Sequence, residues 1–400
     1  MKKKRSPVAA SKKEPKRLRV DPLKEFRETM EQQGIATVSC LSNDEAVCNI
    51  TGRVSTRSLA LDTILRNPSE PEGWAGIPYG RVTEIFGPPF IGKSTLLDGV
   101  FASVQEAGGI AVLADTEISR DRHYVQRLGV DLDKLQYLEF KRGDLYIENV
   151  IQAVYGVVDF WAVKHPETPV VVGWDALGGT ATKDEWEKGL QSETATKPGA
   201  AAKALHGAMR QIAPRLAGSK IAFIILNHEY EMINTGGFGF HGKKKETYGG
   251  SGVRHAGSVR LQLYSSGTYI KRADGWVMGR VVVAKPVKNR LGDSNQEALV
   301  PIFNGTGIEN VWTVFEDLKR AHIIVTSGSW SAINLDGQEI KFQGWSGLKE
   351  KCNEDATLYP RLVSVWKQVR NAALHVSVPE VQKASGTIGE VRGPGQPVDP

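Results

Sequence analysis

Eight residues, Gly87-Pro88-Pro89-Phe90-Ile91-Gly92-Lys93-Ser94, have the spacing that holds a phosphate: a glycine, four residues, then Gly-Lys-Ser, with Thr95 next. A lysine leaving such a turn can reach the β- and γ-phosphates of a nucleotide. The serine hydroxyl beside it can complete the shell of a Mg²⁺ ion. The loop also needs backbone N–H groups converging on the anion, which a strand, a glycine turn and a helix N-terminus supply together. Both flanks fit, because 81–86 reads as a short strand and 95–104 is apolar at helical spacing. Three further polar residues close strand-like runs. Glu117 follows 109–115, Asp175 ends 169–175, and His228 ends 221–228. In an open parallel sheet ligands sit beyond the carboxyl ends of the strands, so Lys93, Glu117, Asp175 and His228 are expected at one site.

The elements that must position these groups alternate strand and helix from residue 81 onward. That pattern predicts a mostly parallel sheet covered on both faces. Helices are expected over 145–161 and 203–216, and strands return at 258–264 and 279–285. Upstream, Asp21-Pro22 suits an N-cap followed by proline at the first helical position, opening a helix to about Gln33. After about Glu309 the texture changes to a helix near 314–320, a β-rich stretch over 323–342 and helices to about Leu374.

Composition bounds the class. Hydrophobic residues make up 40% and charged residues 24% of 400, which is a globular balance. No apolar run approaches the roughly 20 residues that cross a membrane. Cys40, Cys48 and Cys352 lack CxxC spacing and histidine companions, which argues for a reducing compartment and against a zinc site or disulfide frame. The charge is lopsided. Residues 1–20 carry nine Lys/Arg and one Glu, a local +8 within a chain of net +6, so the remainder is −2. Such a tail can hold nucleic-acid phosphates, act as a localisation signal or simply be solvated. No apolar core follows it, so it is not a secretory leader.

The chain resembles the RecA-type recombinases, including their phage UvsX branch, over about residues 55–375. The lead-in Ser55-Thr56-Arg57-Ser58-Leu59-Ala60-Leu61-Asp62 resembles the family's entry to its core. Asp115-Thr116-Glu117 with Asp121, Tyr124 and 127–131 is similar to the segment bearing the catalytic glutamate and the adenine contacts. Residues 249–261 resemble the end of the second DNA-binding loop and the helix after it, and Val287-Lys288-Asn289-Arg290 the cationic pair that reaches a neighbouring protomer's nucleotide. Where bacterial members carry glutamine this chain has His228, as the UvsX-like members do. Ala176 replaces the usual serine after the Walker B aspartate, and the C-terminal tail lacks a dense acidic run. These departures favour the phage branch.

The resemblance implies an α/β, RecA-like P-loop ATPase core with an N-terminal helix and a small α+β C-terminal module. It divides the chain into a basic tail (1–20), a polymerisation segment (21–54), the core (55–308), the C-terminal module (309–374) and a flexible tail (375–400). ATP and Mg²⁺ are the implied cofactors. Glu117 would polarise the attacking water, Lys93 and a Mg²⁺ held by Ser94 and Asp175 would neutralise the phosphates, and His228 would report the γ-phosphate. Lys288 and Arg290 would act from the next subunit. Gly87 to Thr95 would cradle the phosphates, with Asp121 and Tyr124 on the adenine. DNA would meet two loops, about 178–199 and 230–252, through Lys203, Arg210, Phe238, Phe240, Lys243, Lys244, Lys245, Gly249 and Gly250. Lysines beside aromatic rings combine charge with stacking, the usual means of holding single strands.

The expected function is therefore ATP-dependent filament formation on single-stranded DNA and strand exchange with homologous duplex, in a bacterial or phage-infected cytoplasm. A single-strand-binding protein and a loader are admissible further partners. A hexameric helicase or ring ATPase on the same core, and a non-catalytic recombination mediator, are the competing expectations.

Overall fold

The structure, a computed structural model, describes residues 22–34, 48–71, 73–188, 200–232, 244–272, 274–294 and 296–374. The stretches read above as a basic tail (1–20) and a C-terminal tail (375–400), Asp21, 189–199 of the first expected loop and 233–243 of the second lie outside them.

Helix α1 (Pro22–Gln32) leads in, and a two-stranded antiparallel pair, β1 (Arg53–Val54) with β2 (Ile77–Pro78), brackets α2 (Leu59–Leu65), whose N-cap is Ser58. The core follows as β3 (Val82–Gly87), α3 (Lys93–Glu106), β4 (Ile110–Asp115), α4 (Arg122–Arg127), β5 (Leu135–Tyr137), α5 (Ile147–Lys164), β6 (Val170–Asp175) and α6 (Lys183–Lys188). After these come α7 (Ala200–Leu216), β7 (Ile221–Met232), β8 (Lys244–Thr247), α8 (Gly250–Ala256), β9 (Val259–Lys271), β10 (Val277–Asn289), β11 (Ala298–Phe303) and β12 (Gly307–Ile308).

Ten of these strands form one sheet in the order β12-β11-β10-β9-β3-β7-β6-β4-β5, with β8 paired to the far end of β7. The span from β9 to β5 is parallel, and β10, β11 and β12 add antiparallel strands at one side. This is the α/β architecture that the strand–helix alternation predicts. Every residue of β3 and β6 is buried, as expected of central strands covered on both faces. One face packs on α3 through Leu96, Leu97, Val100, Phe101 and Val104. The other packs on α5 and α7 through residues such as Val150, Val154, Leu205, Met209 and Ile212.

The chain closes with α9 (Asn310–Arg320), the antiparallel sheet β13 (Val325–Ser327), β14 (Trp330–Leu335) and β15 (Gln338–Phe342), and helices α10 (Gly344–Glu354) and α11 (Leu358–Leu374). Their apolar side chains, among them Leu318, Ile333, Phe342, Leu362 and Trp366, belong to the same cluster as the α3 side of the main core. Asn310 stitches the two parts. It donates to Arg57 O at 2.8 Å and accepts from Leu59 N at 3.0 Å.

One expectation needs correcting. The third core strand does not stop at His228 but runs on to Met232, where β8 pairs with it antiparallel, Glu229 facing Thr247 and Met232 facing Lys244. Once a ladder partner exists, the backbone groups of 229–232 are satisfied by continuing as strand and not by turning into a loop. Lys244 and Lys245 are therefore strand residues.

Candidate nucleotide site and its trans face

The phosphate loop closes on itself. Gly92 takes φ 105° at the start of α3, and a Cβ there would meet Ile302 Cδ1 at 2.5 Å, so only glycine fits the turn. Ile91 is buried and pins the loop, while Phe90, with φ 59°, is 91% exposed at its tip. Pro88 and Pro89 have no N–H and can shape a phosphate cradle but not donate to it. The donors available are the amides of the first turn of α3, which have no intrahelical partner.

Lys93 is buried, and its Nζ donates to Gly87 O at 3.1 Å and Pro88 O at 2.9 Å. Burial lowers its ammonium pKa, opposed by Asp175, Glu117 and Glu229. The same Nζ lies 3.4 Å from His228 Nδ1, and His228 Nε2 lies 2.8 Å from Glu117 Oε1. His228 thus bridges the lysine and the carboxylate; the arrangement suits a neutral ring accepting at Nδ1 and donating from Nε2–H, a tautomer inferred from the partners.

Ser94 Oγ donates to Asp175 Oδ2 at 2.8 Å. Among the described residues no three His, Cys, Asp or Glu gather into a metal cage. The serine–aspartate pair nonetheless fits Mg²⁺, which is usually held by one or two carboxylates and the substrate's own phosphates.

The two residues expected at the adenine already have partners within the chain. The Asp121 carboxylate caps α4, accepting from Tyr124 N at 2.7 Å, and the Tyr124 hydroxyl pairs with Thr95 Oγ1 at 3.0 Å.

Lys288 and Arg290 lie elsewhere. Lys288 pairs with Arg260 across β10 and β9, and Arg260 pairs with Glu84 in β3, while Asn289 pairs with Val259, which pairs with Thr83 nearer the amino end of β3. Measured along the strand, Lys288 is about 10 Å short of Gly87, with Arg290 further still, on the side away from the phosphate loop. Lys288 Nζ donates to Arg254 O at 2.7 Å and His255 O at 3.0 Å, and Arg290 donates to His255 O at 3.3 Å. The pair is not brought to its own chain's Lys93.

On the nucleic-acid side, Lys203 and Arg210 are exposed and stand seven residues apart, two turns along one face of α7. Gly249 and Gly250 both have positive φ and open α8. Phe238, Phe240 and Lys243 lie outside the described residues. Sequence reasoning missed an exposed aromatic pair on the β7–β8 arm, Tyr230 and Tyr248, with ring centroids 4.9 Å apart.

It also missed two buried charge groups. Glu84, in the middle of β3 and fully buried, accepts from Arg260 Nε at 2.5 Å and Asn227 Nδ2 at 2.8 Å; Asn227 also donates to Tyr248 O at 2.9 Å. Arg120 meets Asp98 and Asp175. A charged residue inside the apolar run of α3 was the available signal for Asp98.

A glycine-turned phosphate loop, acids at the carboxyl ends of parallel strands and this sheet order define the phosphate-loop class of α/β nucleotide-binding folds. The RecA N-terminal domain family matches residues 24–309. Protein RecA of Thermus aquaticus is 32% identical over 311 residues, covering 78% of this chain and 82% of that protein. Protein RecA of Nitratidesulfovibrio vulgaris is 30% identical over 345 residues, 86% of this chain and 88% of its own length. The chain belongs to the RecA family, that of the RecA-type recombinases. Among the described residues no helix is long and apolar enough to cross a membrane.

Proposed function

We propose that this chain is a DNA-dependent ATPase that assembles into helical filaments on single-stranded DNA and exchanges strands with homologous duplex. One observation carries the reading. Lys93, Glu117, Asp175 and His228 meet at the carboxyl end of the sheet, while Lys288 and Arg290 stand at its amino end with backbone carbonyls as partners. One copy therefore holds the cradle and another supplies the second set of cations.

In that mechanism Lys93 gives up its loop carbonyls for the β- and γ-phosphates, and the α3 amides hold their oxygens. Mg²⁺, held by Ser94 and Asp175, would supply charge neutralisation. Glu117 orients the attacking water, and Lys288 and Arg290 of the neighbouring copy stabilise the charge that develops, as an arginine finger does. His228 exchanges its lysine contact for the γ-phosphate and passes the change along β7 to the Tyr230–Tyr248 arm. DNA phosphates meet Lys203, Arg210 and the amides at Gly249 and Gly250, with contacts that carry no sequence information. The segments assigned above to tail, polymerisation helix, core and C-terminal module keep those roles in the proposal. His228 and Ala176 support the phage UvsX-like branch and with it a phage-infected cytoplasm.

The test is ATP hydrolysis with and without single-stranded DNA, followed by electron microscopy with a slowly hydrolysed analogue. Stimulation by DNA and long helical filaments are expected. Closed rings would replace the reading with a helicase-like ATPase, and no hydrolysis in either condition with a mediator.

A further inference from the structure

None of the roles above uses Arg120. It lies three residues past Glu117, between β4 and α4, yet its side chain is only 10% exposed. It pairs with Asp98, which is 1% exposed on α3 among Leu97, Val100 and Phe101. Its other terminal nitrogen reaches Asp175 Oδ2 at 2.9 Å, the same oxygen that accepts from Ser94 Oγ at 2.8 Å. Both bonds fall on Oδ2, and Oδ1 takes none among the described residues. The Arg120 Nε is buried without a partner, so this arginine is not an economical way to fill the space.

A buried ion pair in such a place is seldom worth more to stability than apolar residues of like size. What the pair does offer is geometry. Asp98 fixes one arm of a planar fork, and the fork then fixes the carboxylate it touches. We propose that Arg120, anchored by Asp98, is the positioning residue for Asp175: it holds Oδ2 toward Ser94 and so presents Oδ1 to the water shell of the nucleotide's divalent cation. The inference rests on the phosphate-loop reading of the site.

The experiment titrates Mg²⁺ into the full-length protein with a fluorescent, slowly hydrolysed ATP analogue, and repeats nucleotide binding in EDTA. Two variants are compared with the wild type. The first replaces Arg120→Leu and Asp98→Leu together, so that neither is left without the other, while Asp175 keeps Ser94 and the nearby Lys93. The second is Arg120→Lys, which keeps one charge but cannot serve both acids. Each should need about tenfold more Mg²⁺ for half-saturation, the usual low end for losing an outer partner of a metal ligand, with binding in EDTA unchanged. A midpoint within about twofold of wild type in either folded variant overturns the proposal. Equal loss of binding in Mg²⁺ and in EDTA marks general damage and overturns it too. If the double variant does not fold, the lysine variant decides. A wild type with no Mg²⁺ dependence would instead remove the phosphate-site reading itself.

Discussion

The two ends of β3 carry cations of opposite character. At the carboxyl end Lys93 is buried, held by Gly87 O, Pro88 O and His228, and surrounded by carboxylates that are themselves paired. At the amino end Lys288 and Arg290 rest on the carbonyls of Arg254 and His255, with no acid bonded to either among the described residues. The first end is finished within one chain. The second keeps its charge without a bonded acid among the described residues, which is what the proposed site completed by a neighbouring copy would require. Surface matched to a different patch on the next copy makes a head-to-tail contact, which can repeat without closing.

The strongest way to break this comparison is to separate the ends genetically. Lys93→Ala should abolish ATP hydrolysis, and Lys288→Ala with Arg290→Ala should lower it about 10³-fold, the lower range for a finger in trans. Mixing the two inactive proteins equally should restore about a quarter of wild-type turnover, because a random neighbour pair then joins an intact cradle to intact cations that often. No recovery on mixing, measured by phosphate release, would place all the cations in one chain's site.

How much of this was legible differs between the ends for a physical reason. The phosphate loop is local: Gly87, Gly92, Lys93 and Ser94 lie within eight residues, and their spacing is their geometry. The strand-end positions of Glu117 and Asp175 followed from buried apolar runs, and the sheet carried them together. The bridge through His228 was not legible, since it joins residues 111 and 135 positions apart and depends on which rotamers meet. Asp98 and Arg120 look like ordinary charges until α3 and β4 are docked. The continuation of β7 past His228 depends on a partner strand twelve residues further on, which no local propensity announces. The proposed trans role of Lys288 and Arg290 came from resemblance, and the register of β10 on β9 and of β9 on β3 adds only that the pair stands away from its own chain's Lys93.

A smaller effect sharpens the carboxyl end. His228→Ala should still bind an ATP analogue through Lys93 and the α3 amides. It should lose most of the gain in single-stranded DNA affinity that ATP gives over ADP, a coupling of about 1–3 kcal/mol. His228→Gln, which keeps a donor, should recover much of it. Fluorescence anisotropy with both nucleotides measures this, and equal nucleotide dependence in wild type and His228→Ala would reduce the bridge to packing.

The smallest effect is at the amino end and is read by pH. Burial, then Arg290 and Arg260, push the Lys288 ammonium down to about 8. Its folded value is below the unfolded one, so the unfolded chain holds more protons from about 8 to the ordinary lysine range and folding stability rises with pH across that window. The charge offered to a neighbour's phosphate runs the other way, present below about 8 and lost above it. DNA-stimulated kcat/KM should fall about tenfold one unit above that value. Lys288→Arg should remove this alkaline fall, because a guanidinium stays charged. Superimposable profiles would show that Lys288 does not take part.

The clamp beneath the phosphate loop has a consequence for how such sequences can diverge. Glu84 is fully buried, and its charge is answered by Arg260, whose guanidinium also lies 4.7 Å from the centre of the Phe86 ring. Losing either partner alone strands the other's charge inside the sheet, a penalty of about 3–5 kcal/mol, which is a large part of a domain's whole stability. Positions 84 and 260 can therefore drift only in step, 176 residues apart along the chain. A descendant that traded this ion pair for two apolar residues would have to cross from one to the other in a single stride, or through a third substitution that shelters the orphaned charge along the way.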